Sequence, residues 1–373
     1  MLKRFEVQYF KGFDQCIVLD FTARDYTYNS ELVKGSVVNK AIIYGRNGIG
    51  KSSLGIALFD IVLHLTDKER MPAQYLLNYH NLNHVTEPIY FKYVFLFGED
   101  EVIYEYHKAD ANNLIDEKLT VNGAVYIDYH YFNHNQNYIS PDIYQKISSI
   151  ELIDNKLSVL KYLYRNTPTN SIKSISTLIQ FCERMLWYRS LSEGNAYAGF
   201  KNGSEALTEE IYKTGRLKEF ESFLRDNGVE YRLKFESVNG EHVLFALFDE
   251  GGSINKVPFL HIASTGTATL LLFYYWMLVA FDSVSFLFID EFDAFLHFES
   301  AEKLVLSLNK YVDCQTVLTT HNTNLMTNRL TRPDCCFVMS KNKISSLKNA
   351  TRRELREGHN LEKLYLSGEF DET

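Results

Sequence analysis

Cysteine is sparse in this 373-residue sequence and shows no paired spacing. The five thiols are Cys16, Cys182, Cys314, Cys335 and Cys336, an odd number with no C-x-x-C. That excludes a secreted disulfide scaffold, and reduced thiols are expected. An excess of positive charge is also missing: 39 Lys and Arg stand against 47 Asp and Glu, a formal net charge of −8. Proteins that coat nucleic acid are usually basic overall, so any such contact must come from a local patch. Long apolar runs are absent. The most apolar, Leu270–Phe281, stops at Asp282, short of the roughly 20 residues a bilayer span needs. Met1–Glu6 lacks a signal peptide's apolar stretch. The expectation is a cytoplasmic chain without membrane contact. Internal repeats, low-complexity tracts, a long coiled coil and a nuclease-type carboxylate cluster are absent as well. With 46% hydrophobic and 23% charged residues, the composition is that of a globular protein, long enough for one large domain or two ordinary ones.

Hydrophobic patterning divides the chain. Phe5, Val7 and Tyr9 alternate, Cys16–Phe21 forms a second strand-like run, and Ala41–Tyr44 is a short apolar strand. Leu54, Ala57, Leu58, Ile61, Val62 and Leu65 then follow helical spacing, which predicts a helix over 52–65. Residues 89–107 read as a hairpin around Gly98-Glu99-Asp100, and 124–132 as a further strand. From Ser140 to Gly228 the character is helical, with 12 Lys and Arg against 11 Asp and Glu. Strands return at 230–248 with a turn at Asn239-Gly240. A helix at 265–281, a buried strand at Val284–Ile289, a helix near 298–311 and a strand at Thr316–Thr319 complete the pattern.

Gly45-Arg46-Asn47-Gly48-Ile49-Gly50-Lys51-Ser52 matches G-x-x-x-x-G-K-[ST], between a strand and an amphipathic helix. Its glycines let backbone N–H groups close around phosphate oxygens, and the following helix N-terminus favours an anion. Lys51 would reach the β- and γ-phosphates of ATP and the Ser52 hydroxyl would ligate Mg²⁺. Phe286–Ile289 is a continuously apolar strand ending in Asp290-Glu291, as a parallel strand buried on both faces would. Asp290 is the expected Mg²⁺ ligand, and Glu291 the group that polarises water. His321, at the end of a later strand, reads either as an ordinary surface or core residue or as a side chain that can touch a γ-phosphate. Ser264-Thr265-Gly266-Thr267, before the apolar helix, reads either as a plain helix cap or as a second phosphate-binding helix terminus.

Together these segments resemble the ABC-type ATPases, more closely the RecF/SMC/OLD-like branch than transporter domains, over about 1–135 and 230–373. FEVQYFKGFDQCIVLDF followed by AIIYGRNGIGKSSL looks like that branch's opening hairpin and Walker A loop. STGT sits at its signature, FLFIDEFDAFLHFE resembles Walker B with the D-loop, and TTHNTNLM its switch-histidine segment. The tail ATRRELREGHNLEKLYLSGEF is similar to abortive-infection ATPases of the AbiL/RloA and PARIS AriA type. The resemblance implies an α/β fold: an ABC-type P-loop head, with a mixed central sheet and an antiparallel β subdomain, plus a helical insert. The corresponding regions are an N-terminal lobe at 1–139, an insert at 140–229 and a C-terminal lobe at 230–373. It implies ATP and Mg²⁺, with Asn47, Gly48, Gly50, Lys51, Ser52, Ser53, Ser264 and Gly266 on the nucleotide and Ser52 and Asp290 on the metal. Lys51, Glu291 and His321 would be catalytic. Each site would be shared across a homodimer or higher homo-oligomer. It further implies an antiphage sensor or scaffold that controls a separate effector, such as a nuclease. A RecF-like DNA-maintenance ATPase is the alternative.

The chain departs from transporter subunits in its STGT signature and in the long stretch between Ser52 and Asp290. Gln136, and behind it Gln74, are the candidates for the Q-loop. Asp128, His130 and His134 have metal-like spacing, yet in a strand i and i+4 share a face and sit far apart. Cys335-Cys336 reads as strand packing. Residues 329–356 carry eight Lys and Arg against two Asp and Glu, either solvated surface or a contact for nucleic acid or an acidic partner.

Overall fold

A computed structural model describes residues 1–68, 77–144, 154–166, 173–189, 197–199, 207–279 and 283–370. Two strands open the chain, β1 (Leu2–Gln8) and β2 (Ile17–Asp20). A ribbon of β3 (Val33–Lys34) and β4 (Val37–Val38) precedes β5 (Lys40–Tyr44), which runs into the glycine loop. Helices α1 (Lys51–Leu58) and α2 (Asp60–Leu65) follow. A meander comes next: β6 (Ile89–Phe97), β7 (Asp100–Lys108), β8 (Leu114–Val121), β9 (Ala124–His130) and β10 (Tyr138–Ile139). The middle of the chain holds α3 (Pro141–Tyr144), α4 (Val159–Asn166), α5 (Lys173–Glu183), β11 (Met185–Arg189), β12 (Tyr197–Gly199), α6 (Leu207–Thr214) and α7 (Leu217–Asp226). Then come β13 (Arg232–Val238), β14 (Glu241–Glu250), β15 (Ser253–Pro258), α8 (Phe259–Ile262), α9 (Thr265–Val279), β16 (Phe286–Asp290), α10 (Phe298–Tyr311) and β17 (Gln315–Thr320). The chain closes with β18 (Cys336–Ser340), β19 (Lys343–Ser346) and α11 (Leu361–Leu366).

The central sheet has the order β12-β11-β16-β17-β5-β18-β19. Its five inner strands are parallel, and β12 and β19 are antiparallel edges. Side chains alternate across it, and both faces are buried. Ala41, Ile43, Trp187, Phe286, Phe288, Val317 and Phe337 enter one core, shared with α1, α2, α5 and the antiparallel sheet β10-β9-β8-β7-β6-β1-β2. Ile42, Tyr44, Leu186, Tyr188, Leu287, Ile289 and Leu318 enter the other, beneath α9 and α10. This is the expected α/β class, with both the mixed central sheet and the antiparallel subdomain.

Three expectations change. The helix predicted over 52–65 breaks at Phe59 into α1 and α2, and Asp60, just past the break, is buried against β7. Residues 140–228, read as helical, also contain β11, a central strand between β12 and β16. Its sequence, MLWYR, is a short buried apolar run, and periodicity alone does not separate such a strand from a buried helix. The hairpin at 230–248 gains a third strand, β15. Among the described residues, no helix is long and apolar enough to cross a membrane.

Candidate functional site

The glycine loop lies at the carboxyl end of β5, where Gly45 N–H donates to the Thr320 carbonyl at 3.3 Å. Gly48 and Gly50 have φ of +75° and +109°, values that favour glycine. A Cβ on Gly50 would stand 3.0 Å from the Phe13 ring. Arg46, Asn47 and Gly48 form the exposed crest, and Ser52 and Ser53 are half-buried on the first turn of α1. Lys51 is buried, with Nζ donating to the carbonyls of Gly45 at 2.8 Å and Arg46 at 3.1 Å. Burial lowers its pKa, opposed by the nearby carboxylates of Glu291, Asp290 and Asp293.

Asp290 ends β16 and is fully buried. Its Oδ1 accepts the Thr319 hydroxyl at 2.7 Å. The same hydroxyl oxygen accepts the Glu291 backbone N–H at 2.8 Å. Glu291 is held at φ +49°, a left-handed conformation uncommon outside glycine and concentrated at functional sites. Burial pushes the Asp290 carboxyl up, and the Ser52 and Thr319 hydroxyls and Arg189 pull it back. Asp290 Oδ2 is a buried carboxylate oxygen that makes no hydrogen bond. A hard cation takes oxygen ligands of this kind. A buried carboxylate oxygen without a hydrogen bond, 3.6 Å from the Arg189 guanidinium, with the Ser52 hydroxyl acting on the same group, fits Mg²⁺.

Asp293, three residues beyond Asp290, is buried, with Oδ2 accepting the Thr320 hydroxyl at 2.8 Å. Its pKa is raised by burial and lowered by Thr320 and by the charge of His321. His321 itself is exposed, just beyond β17. The loop, the acidic pair and the histidine segment thus meet at the carboxyl ends of β5, β16 and β17, neighbours in the sheet.

Ser264 and Thr265 are exposed. The Ser264 hydroxyl accepts Thr267 N–H at 3.2 Å and pairs with the Thr267 hydroxyl at 2.9 Å, so it caps α9. A Cβ on Gly266 would lie 2.7 Å from the Phe295 carbonyl. The structure therefore brings the STGT segment against the stretch that follows the acidic pair.

A family described as "AAA domain, putative AbiEii toxin, Type IV TA system" matches residues 40–327. The chain belongs to this AAA family. No curated protein matches its sequence. Among solved structures, the AAA chain is similar to an Smc head bound to the C-winged helix domain of ScpA (16% identity, TM-score 0.44, covering 94% of this chain and 99% of that one). It is also similar to the SMC head domain from Thermotoga maritima (16%, 0.41, 92% and 98%). A third is the Smc head with an extended coiled coil, bound to the C-terminal domain of ScpA derived from Pyrococcus furiosus (15%, 0.44, 94% and 97%). The glycine loop follows β5, Asp290 ends β16 with Glu291 next, and β17 lies between those two strands in a parallel α/β sheet.

Other candidates fall elsewhere. Gln136 is exposed in a turn before β10, at the far edge of the antiparallel sheet from β1 and β2. Gln74 lies outside the described residues. Asp128 pairs with Lys118 at 3.2 Å and His130 at 3.1 Å. Among the described residues no group of three or more His, Cys, Asp or Glu is arranged for a metal ion. Cys335 and Cys336 are both buried, and Cys336 opens β18. The basic run 329–356 is partly internal. Arg332 is buried in a two-pronged ion pair with Asp334 (2.7 and 2.8 Å). Arg329 pairs with Glu302, Arg353 with Glu369 and Arg356 with Glu354. The sequence reading missed Arg189, whose Nη2 stands 2.7 Å from Glu291 Oε2. No sequence signal marked it, because β11 had been read as helix.

Proposed function

We propose that this AAA chain is an ABC-type ATPase that binds and hydrolyses ATP at a site completed by a second copy. It acts as a sensor or scaffold in abortive-infection defence and controls a separate effector, such as a nuclease. The observation that carries the ATPase reading is the chain of contacts from Glu291 N–H through the Thr319 hydroxyl to Asp290, beside a glycine loop whose lysine is already buried. Lys51 would leave its loop carbonyls for phosphate oxygens. Ser52 and Asp290 would hold Mg²⁺, which when bound supplies positive charge to the phosphates. Glu291 would orient and deprotonate the attacking water, and His321 would contact the γ-phosphate from the neighbouring strand. The defence role is supported by the toxin–antitoxin description of the family. The acidic overall charge and the partly paired basic run favour this reading over a DNA-maintenance ATPase.

The test compares wild type, Lys51→Ala and Glu291→Gln for binding of a fluorescent ATP analogue and for phosphate release. Wild type should bind and turn over, Lys51→Ala should lose binding, and Glu291→Gln should bind with turnover reduced about 10²–10⁴-fold. Full turnover in both variants overturns the ATPase reading. Plaque counts on cells carrying the gene with its flanking genes, wild type against Glu291→Gln, test the defence role. Counts that do not fall with the wild-type locus overturn it.

A further inference from the structure

We propose that Arg189 is a positioning residue for Glu291: it grips Oε2 of the carboxylate and so sets the direction in which that carboxylate meets the attacking water. The proposal rests on the reading of Glu291 as the base.

Arg189 ends β11 and stands in register with Asp290 of β16. Parallel pairing therefore delivers a cation alongside the two consecutive carboxylates that end the neighbouring strand. The guanidinium addresses both, with Nη2 at 2.7 Å from Glu291 Oε2 and Nε at 3.6 Å from Asp290 Oδ2. A planar fork presents its donors to the two carboxylates at fixed angles, whereas an ammonium offers three rotatable donors on one atom. A cation here also offsets the repulsion between the two carboxylates.

Glu291 is held at two points. Its backbone N–H is fixed on Thr319 and its φ is +49°. Its side chain is fixed by Arg189. A glutamate at a strand end otherwise has three free torsions, and a base must sit within hydrogen-bond reach of its water. The arginine engages Oε2 and so fixes the plane of the carboxylate. Both side chains are under one third exposed, 28% for Arg189 and 29% for Glu291, so the contact is not a freely solvated surface pair.

Misplacing a catalytic group by about 1 Å costs on the order of 10²-fold in rate. Arg189→Ala should therefore lower kcat by about 10- to 100-fold. KM and the Kd of a fluorescent ATP analogue should stay at wild-type values, which also reports that the variant is folded. Arg189→Lys should fall between wild type and Arg189→Ala. In the Glu291→Gln background, Arg189→Ala should cause no further loss, since it acts through the carboxylate. A rise in Kd together with KM shows the arginine acting on nucleotide binding, directly or through Asp290, and overturns the proposal. So does a rise in turnover, or an additive loss in the double variant. If Arg189→Ala fails to bind the analogue because it is unfolded, Arg189→Gln and Arg189→Lys decide by the same criteria. A normal loss in Glu291→Gln with none in Arg189→Ala overturns the positioning role alone. Unchanged turnover in Glu291→Gln overturns the base reading and the proposal with it.

Discussion

The Thr319 hydroxyl donates to Asp290 Oδ1 at 2.7 Å and accepts the Glu291 N–H at 2.8 Å. One hydroxyl on β17 thus sets the backbone of one acidic residue and the side chain of the other. Thr319→Val keeps the β-branched shape and removes both bonds. It leaves a buried carboxylate oxygen and a part-buried N–H without partners, at about 1–3 kcal/mol for the buried oxygen where no water replaces the hydroxyl. Thermal unfolding should show a lower Tm, and ATP turnover should fall. Thr319→Ser restores the hydroxyl and should recover most of both. Equal stability of the Val and Ser variants would remove the hydroxyl from this role.

A second buried network lies away from the site. Asp60 of α2 is fully buried, 2.7 Å from Lys108 Nζ on β7, and it accepts the hydroxyls of Tyr106 at 2.8 Å and of Tyr79. Burial raises the Asp60 pKa, but Lys108 and His64 outweigh it and hold the carboxyl well below the usual range. A depressed carboxylate adds stability that is fully present above its unfolded value, about 4, and is lost as pH falls through the folded value. Asp60→Asn leaves Lys108 buried without its counter-ion, a change that typically costs about 3–5 kcal/mol. Urea unfolding at pH 7 should show that loss, and the gap to wild type should narrow below about pH 4. A gap that widens on acidification would contradict the assignment.

Strand runs with a strong pattern were legible: Phe286–Asp290 and Gln315–Thr320 fall where apolar continuity put them, and α10 spans the expected residues. The glycine loop, Asp290-Glu291 and His321 could be named as candidates because each is a local motif, and the structure sets them at the ends of adjacent strands. Arg189 could not, because its role comes from register. It meets Glu291 only because β11 pairs with β16, a partnership about a hundred residues apart that no local pattern encodes. The charge of the 329–356 run misled for the opposite reason: composition counts Arg332 as basic surface, whereas the fold buries it against Asp334.

The close seating of α1 on the central sheet has a measurable sign. A Cβ on Gly55 would lie 2.7 Å from both the Phe288 ring and Trp187 Nε1. In an open helix Gly→Ala stabilises by about 0.5–1 kcal/mol. Here overpacking should cost about 1–3 kcal/mol and reverse the sign. Gly55→Ala should therefore unfold at lower urea concentration than wild type. Since α1 carries Lys51 and Ser52 on its first turn, ATP affinity should weaken in the same variant. A stabilised Gly55→Ala would mean that Phe288 and Trp187 yield freely.

The last prediction concerns the second half of the nucleotide site. Ser264 is exposed and caps α9 with its own hydroxyl. Its neighbour Gly266 packs on the Phe295 carbonyl, and the Phe295 side chain is partly exposed to solvent. An exposed helix N-terminus favours an anion, and the proposed dimer would supply the γ-phosphate bound to the other copy. ATP would then link the two copies, and hydrolysis would release them. Ser264→Arg places a long cation where that phosphate would sit, and the exposed position leaves folding intact. Light scattering of Glu291→Gln with Mg-ATP should give about twice the monomer mass, while the Glu291→Gln, Ser264→Arg double variant should stay at monomer mass with and without nucleotide. Both should still bind the fluorescent ATP analogue, because Lys51 and the glycine loop are unchanged, with the weaker affinity in the double variant, which lacks the second copy's contact. Should the double variant assemble with ATP as Glu291→Gln does, and Ser264→Arg alone hydrolyse ATP at the wild-type rate, the shared-site arrangement is wrong and α9 begins with a helix cap and nothing more.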